Sequence, residues 1–139
     1  MNNCIFCAIV AGTGPAHVIY SDDDAIAFMD INPATDGHAL VIPREHVKDL
    51  WEISEDGASR VMAATVRVAA QIRDALKPDG VNVMHATGAA AFQTVFHFHL
   101  HVIPRYYHDP IKLPWVPRPG DRTKIAEVAS KIVAARDGT

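Results

Sequence analysis

The chain has 139 residues, 49% hydrophobic and 21% charged, a balance that fits one domain with its own core and leaves no room for a second of ordinary size. Thirteen Lys and Arg against sixteen Asp and Glu give a formal net charge of -3, so the clustered basic excess that tracks a long nucleic acid is missing. No apolar run approaches the roughly 18 residues of a membrane span, and the start Met1-Asn2-Asn3-Cys4 is no basic-then-apolar leader; a cytoplasmic protein with no membrane partner is expected.

Val18-Ile19-Tyr20 and Ala25 to Asp30 flank the acidic turn Ser21-Asp22-Asp23-Asp24 and read as an antiparallel hairpin. The loop Asn32 to Gly37 leads into a strand from His38 to Ile42, closed by Pro43. From Ser54 the period changes: Ala58, Val61, Met62, Thr65, Val68, Ala69, Ile72 and Leu76 recur at spacings of three and four, which predicts an amphipathic helix. Ser54 caps it, Glu55 and Asp56 suit its first turn, and Lys77-Pro78-Asp79-Gly80 stops it. Strands from Val81 to Ala86 and from Phe96 to Ile103 follow, separated by the small-residue loop Thr87 to Phe92. The stretch from Tyr106 to Gly120 carries four prolines and should run extended. A last helix is expected from Asp121 or Thr123 onward, with Ile125, Val128, Ala129, Ile132 and Val133 on one face. The pattern thus gives about five strands, one long helix and a last helix. Residues 1–105 form the core, and 106–139 form a tail and helix packing on the same domain or on a partner.

The chemistry centres on His97-Phe98-His99-Leu100-His101-Val102-Ile103. Strand alternation projects the three imidazoles to one side and Phe98, Leu100 and Val102 to the other, the core. Such a face can chelate a metal, or one ring can attack an electrophile while its neighbours handle protons. Imidazole suits phosphorus, because the neutral ring is nucleophilic near pH 7 and the phosphoimidazole is labile to water. A single phosphate can be held by imidazoles and backbone amides without any basic excess.

Cys4-Ile5-Phe6-Cys7 is the second signal. A Cys-x-x-Cys serves zinc sites and redox pairs alike. As a tetrahedral zinc site it needs two more ligands, and His46 and His97 can supply them. With His97 taken, His99 is left free as a nucleophile.

These blocks resemble the histidine-triad family, and residues 97–103 match its His-x-His-x-His-x-x pattern, with x apolar, at every position. The resemblance runs from Cys4 to about Arg105 and takes in Phe28-Met29-Asp30-Ile31, Gly37 to Pro43, Glu45-His46 and Gln93-Thr94-Val95-Phe96. It implies an α+β fold with an antiparallel sheet of about five strands and one long helix, in a homodimer that binds purine nucleotides and cleaves at the α-phosphorus. The expected activity is nucleoside phosphoramidate hydrolysis, with dinucleoside polyphosphate hydrolysis or a catalytically weak nucleotide-binding adaptor as alternatives. On this similarity His99 is the nucleophile, His101 contacts the phosphoryl or leaving group, and His38 completes the imidazole network. Gln93 and Thr94 would hold phosphate or leaving-group oxygens. Asp30 would accept from the ribose hydroxyls, and Ile5, Phe6, Ile9, Phe28, Ile31 and Leu40 would grip the base. The Cys-x-x-Cys resembles the zinc-bearing bacterial branch, which implies structural zinc on Cys4, Cys7, His46 and His97. The chain departs from the family pattern at Ala86, commonly Asn, and at Phe92, commonly Gly. These departures bear on turnover and leaving-group choice more than on nucleotide binding. His17, His85 and His108 receive no role.

Overall fold

The computed structural model describes residues 3–137. A short helix α1 (Ile5–Val10) precedes strands β1 (Val18–Ser21), β2 (Ala25–Met29) and β3 (Ala39–Pro43), the long helix α2 (Glu55–Leu76), strands β4 (Gly80–Met84) and β5 (Leu100–Arg105), and helix α3 (Arg122–Asp137). The strands form one antiparallel sheet in the order β1-β2-β3-β5-β4. The β1–β2 turn is held by Asp22, whose Oδ1 accepts from the backbone N–H groups of Asp24 and Ala25 at 2.8 Å each.

Alternation within the central strands decides what covers each face. Ala25, Ala27, Ala39 and Val41 point one way, with Phe98 and Val102, against Val61, Ala64, Val68 and Ile72 of α2. The small alanines let the helix lie close to the sheet. Ile26, Phe28, Leu40 and Ile42 point the other way, and Phe6 of α1 packs on them. Helix α2 begins as expected: Ser54 Oγ accepts from the Gly57 N–H at 2.9 Å, and Glu55 and Asp56 sit in the first turn. It ends at Lys77, whose left-handed φ of 52° closes the last turn.

Helix α1 and the bounds of several strands differ from the sequence expectation. Helix α1 was not foreseen, because six residues are too few to show a period. Strand β5 starts at Leu100 rather than Phe96, so His97 and His99 precede the regular ladder. Their outward-inward alternation survives, since Phe98 still enters the α2 core. Helix α3 is exposed along Arg122 to Arg136, including Ile125, Val128, Ile132 and Val133. Strands β3 and β4 are displaced by one or two residues from the expected bounds.

Gly37 enters β3 at a φ of +94°, and a Cβ there would stand 2.5 Å from Leu76 Cδ1 and 3.0 Å from Pro104 Cγ. The leucine tip can move, but the backbone conformation stays strained for any L side chain. Gly37→Ala is expected to lower the unfolding free energy by about 2 kcal/mol, read as a reduced urea midpoint at unchanged slope.

Candidate functional site

Helix α1 brings Cys4 and Cys7 beside the segment leading into β5. Cys4 caps the helix through its sulfur, which accepts from the Cys7 N–H at 3.3 Å. Cys4 Sγ and Cys7 Sγ lie 3.5 and 3.6 Å from His97 Nδ1, Cys7 Sγ lies 3.2 Å from His46 Nδ1, and the two Nδ1 atoms are 3.2 Å apart. Around a tetrahedral zinc with ordinary bond lengths, sulfur–nitrogen edges span about 3.6 Å and nitrogen–nitrogen edges about 3.3 Å. The donor set fits that ion in type, number and spacing. All four donor atoms lie within 4.8 Å of one another, and both cysteines are free thiols. His97 is wholly buried, and its Nε2–H donates to the Pro43 carbonyl at 2.9 Å, which leaves Nδ1 with the lone pair that a metal requires.

The other two triad rings are turned to different partners. His99 Nδ1 lies 2.7 Å from the His97 carbonyl. A carbonyl only accepts, so the proton is on Nδ1 and Nε2 presents a lone pair. His38 Nδ1 accepts from the Ala34 N–H at 2.9 Å, which puts that ring's proton on Nε2. From there it donates to His101 Nδ1 at 2.9 Å, with Asp30 Oδ2 at 3.3 Å. The proton of His101 is therefore on Nε2. The three triad rings do not converge on a common metal: one faces the cysteines, one the His97 carbonyl, one His38. Asp30, His38 and His101 bring three donor atoms together, but His38 Nε2 is committed as a proton carrier by the Ala34 N–H at its other nitrogen, which is the wrong state for a ligand.

Burial holds His99 below its ordinary value, against the opposing pull of the His97 carbonyl. His101 is pushed down to about 4, first by burial and then by the adjacent His99 and His38. His38 is also lowered by burial, with Asp30 acting in the opposite sense. All three rings are thus neutral near pH 7, the state in which imidazole attacks or relays a proton.

His99 and His101 open into a cavity of about 510 Å³ between α1 and the sheet. Ile5, Phe6, Ile9, Phe28, Asp30, Ile31, Leu40 and Thr94 all line it. Phe6 meets His99 edge-on, the ring centroids 5.2 Å apart. Two expected residues do not line it. His38 stands behind His101, and Gln93 is buried with its amide fully engaged: Oε1 accepts from the Gly88 N–H, and Nε2 donates to the Lys48 and Val95 carbonyls at 2.9 and 3.1 Å. Both Gln93 donors are spent on holding loops, so in this structure they do not face a phosphate. The wall also includes Gly14, Pro15, Ala16 and Val95, which the sequence reading missed because they follow the unforeseen α1 or lie in loops. Phe92 takes a left-handed φ of 74° with its ring exposed. That left-handed backbone is one that glycine adopts more readily than a bulky residue does.

Comparison with known proteins places these features in a group. Residues 11–108 match the HIT domain. The Bacillus subtilis relative named Protein hit is 43% identical over 104 residues, 75% of this chain and 72% of its own length. A zinc-bound histidine triad family protein from Mycobacterium smegmatis superposes with a TM-score of 0.76 at 39% identity, covering 98% of this chain and 96% of that one. A histidine triad nucleotide-binding protein from Candida albicans superposes with a TM-score of 0.87 at 26% identity, covering 98% and 99%.

A histidine whose folded value lies below its unfolded value leaves the unfolded chain holding more protons between the two, so stability falls as pH drops through that window. For His101 the window runs from 6.5 to about 4. Unfolding free energy measured across that range should decline with falling pH, and His101→Gln should flatten the slope by up to about 1.4 kcal/mol per pH unit.

Proposed function

The chain belongs to the HIT family, and from that premise we propose that it binds a purine nucleotide in the cavity beside α1 and hydrolyses nucleoside 5'-phosphoramidates at the α-phosphorus. The observation that carries the reading is the state of His99: a neutral ring, its Nδ1–H on the His97 carbonyl, its Nε2 lone pair opening toward an apolar cavity. Such a cavity grips a planar base by dispersion and stacking while a few polar groups orient the rest. Asp30 and Thr94 line the cavity wall, where Asp30 would accept from ribose hydroxyls and Thr94 would donate to phosphate oxygens. The nucleotide-binding relative from Candida albicans supports the ligand class.

In the first step His99 Nε2 bonds to the α-phosphorus and the bond to the amine nitrogen breaks, that nitrogen taking a proton from solvent while the neutral His101 keeps its Nε2–H and donates it as a hydrogen bond to the phosphoryl or leaving group. In the second, water attacks the phosphorus of the nucleotidyl-histidine and gives up a proton to solvent, the bond from phosphorus to His99 Nε2 breaks, and His99 departs as neutral imidazole. The Nδ1–H bond to the His97 carbonyl stabilises the positive charge on the phosphorylated ring between the two steps. His38 keeps His101 in the donating tautomer, and Gln93 holds the 88–95 loop against the 48 turn. The glycine-like backbone of Phe92 supports turnover over the adaptor reading.

Cys4, Cys7, His46 and His97 would hold a structural zinc, a reading supported by the donor geometry and by the zinc-bound relative. Bound there, the ion supplies a cross-link between α1 and the segment entering β5 and takes no part in the reaction. A homodimer is supported by the open edge of β4, where Val81, Val83 and Met84 are exposed, and by the apolar face of α3. No helix among the described residues is long and apolar enough to cross a membrane.

Wild-type protein is expected to release a fluorescent amine from a purine nucleoside phosphoramidate, and His99→Ala to lose about 1,000-fold or more in kcat while remaining folded. A folded wild type that binds AMP and releases no amine would overturn the phosphoramidase reading. Elemental analysis should find zinc in equal amount to chain, and its removal should lower Tm by at least about 5 °C.

A further inference from the structure

The β4–β5 ladder stops at the pair Met84 and His101, and β3 joins β5 only from Leu100 onward. His99 therefore lies on backbone that no neighbouring strand pairs. A side chain does the holding instead. His85 Nδ1 lies 3.0 Å from the His99 carbonyl, and because a carbonyl only accepts, the proton is on Nδ1. His85 Nε2 is then an acceptor, and it receives the Thr87 hydroxyl at 2.5 Å. The Thr87 oxygen in turn accepts from the Leu50 N–H at 2.9 Å. The ring of His85 stacks on Phe98, centroids 4.4 Å apart and planes 22° from parallel. Both nitrogens and one ring face are thus used, in a chain running from the 50 turn through Thr87 and His85 to the backbone of His99.

We propose that His85 is a positioning residue for the reaction at His99. By holding the His99 carbonyl it fixes the rotation of that residue, and so the direction in which Nε2 presents its lone pair to the α-phosphorus. His99 is anchored twice: at its ring by the His97 carbonyl, and at its backbone by His85. His85 does not line the cavity, so it acts through His99 and not on the ligand. Thr87 sets the tautomer that makes this possible, since its hydroxyl proton on Nε2 obliges the ring to carry its own proton on Nδ1. A misplacement of about 1 Å at a reacting atom costs on the order of 100-fold in rate, which makes a single backbone anchor consequential. The inference rests on the proposed chemistry at His99.

The test compares wild type, His85→Phe, His85→Asn and Thr87→Val with a fluorescent-amine purine nucleoside phosphoramidate, recording kcat, KM, AMP affinity and Tm. His85→Phe keeps a ring on Phe98 and offers no N–H to the carbonyl. It should lose about 30- to 100-fold in kcat with KM and AMP affinity within about 3-fold of wild type. His85→Asn places an amide N–H near the Nδ1 position and should recover to within about 5-fold of wild type. Thr87→Val frees the tautomer and should lose about 3- to 10-fold in kcat, which keeps the test decisive if His85→Phe does not fold. Wild-type kcat in His85→Phe, a loss that His85→Asn fails to rescue, a parallel rise in KM, or an indifferent Thr87→Val would each overturn the role of His85 while leaving His99 as the nucleophile. A folded wild type without turnover would overturn the chemistry at His99 and the role of His85 with it, which separates the two failures.

Discussion

A neutral imidazole has one proton for two nitrogens, and each acceptor that claims the proton decides what the other nitrogen can do. In this protein the backbone makes that decision ring by ring. The Pro43 carbonyl takes the His97 proton and turns Nδ1 toward the cysteines. The His97 carbonyl takes the His99 proton and turns Nε2 outward. The Ala34 N–H fills His38 Nδ1, and that choice passes through His38 to His101. Three identical residue types at alternate positions thus acquire different partners and different free nitrogens, which on the proposed reading suit metal ligation, nucleophilic attack and hydrogen-bond donation. The division requires no difference in the side chains themselves, only in the groups the fold places behind them.

The sheet makes those placements possible. Alanines on one face of β2 and β3 draw α2 close, and the large side chains on the other face meet Phe6 of α1. Burial from both sides is what keeps the rings neutral, since burial is the leading cause of the downward shifts at His38, His97, His99 and His101. The same burial ties the cavity to the cysteine cluster. Phe6 stands between Cys4 and Cys7 in sequence and touches both His97 and His99 by its ring edge. A cross-link at the cysteines would hold the apolar cavity wall and His99 in one rigid piece.

Much of this was legible in the sequence where a period or a motif spoke for it. The α2 period, the Ser54 cap and the alternation at 97–102 all recur in the structure. The eight residues Ile5, Phe6, Ile9, Phe28, Asp30, Ile31, Leu40 and Thr94, named from family resemblance, line one cavity. What stayed hidden depends on groups that have no period. Helix α1 is too short to announce itself. Ahead of β5 strand pairing gives way to one backbone bond from a loop and one side-chain bond, with Phe98 N–H donating to the Val47 carbonyl and His85 Nδ1–H to that of His99. The sequence assigns His85 no role, and the structure shows it bonded to the main chain of His99. Gln93 was expected at the phosphate, and the structure has it spanning two loops, because a buried amide takes whatever backbone partners surround it.

The account stands on the protonation of individual ring nitrogens, and long-range proton–nitrogen NMR correlation of the imidazoles at pH 7 reads it directly. The account predicts His97 and His101 protonated at Nε2, and His99 protonated at Nδ1 with an unprotonated Nε2. A spectrum with His99 protonated at Nε2, or at both nitrogens, would contradict it, since the ring would then have no lone pair to offer the phosphorus.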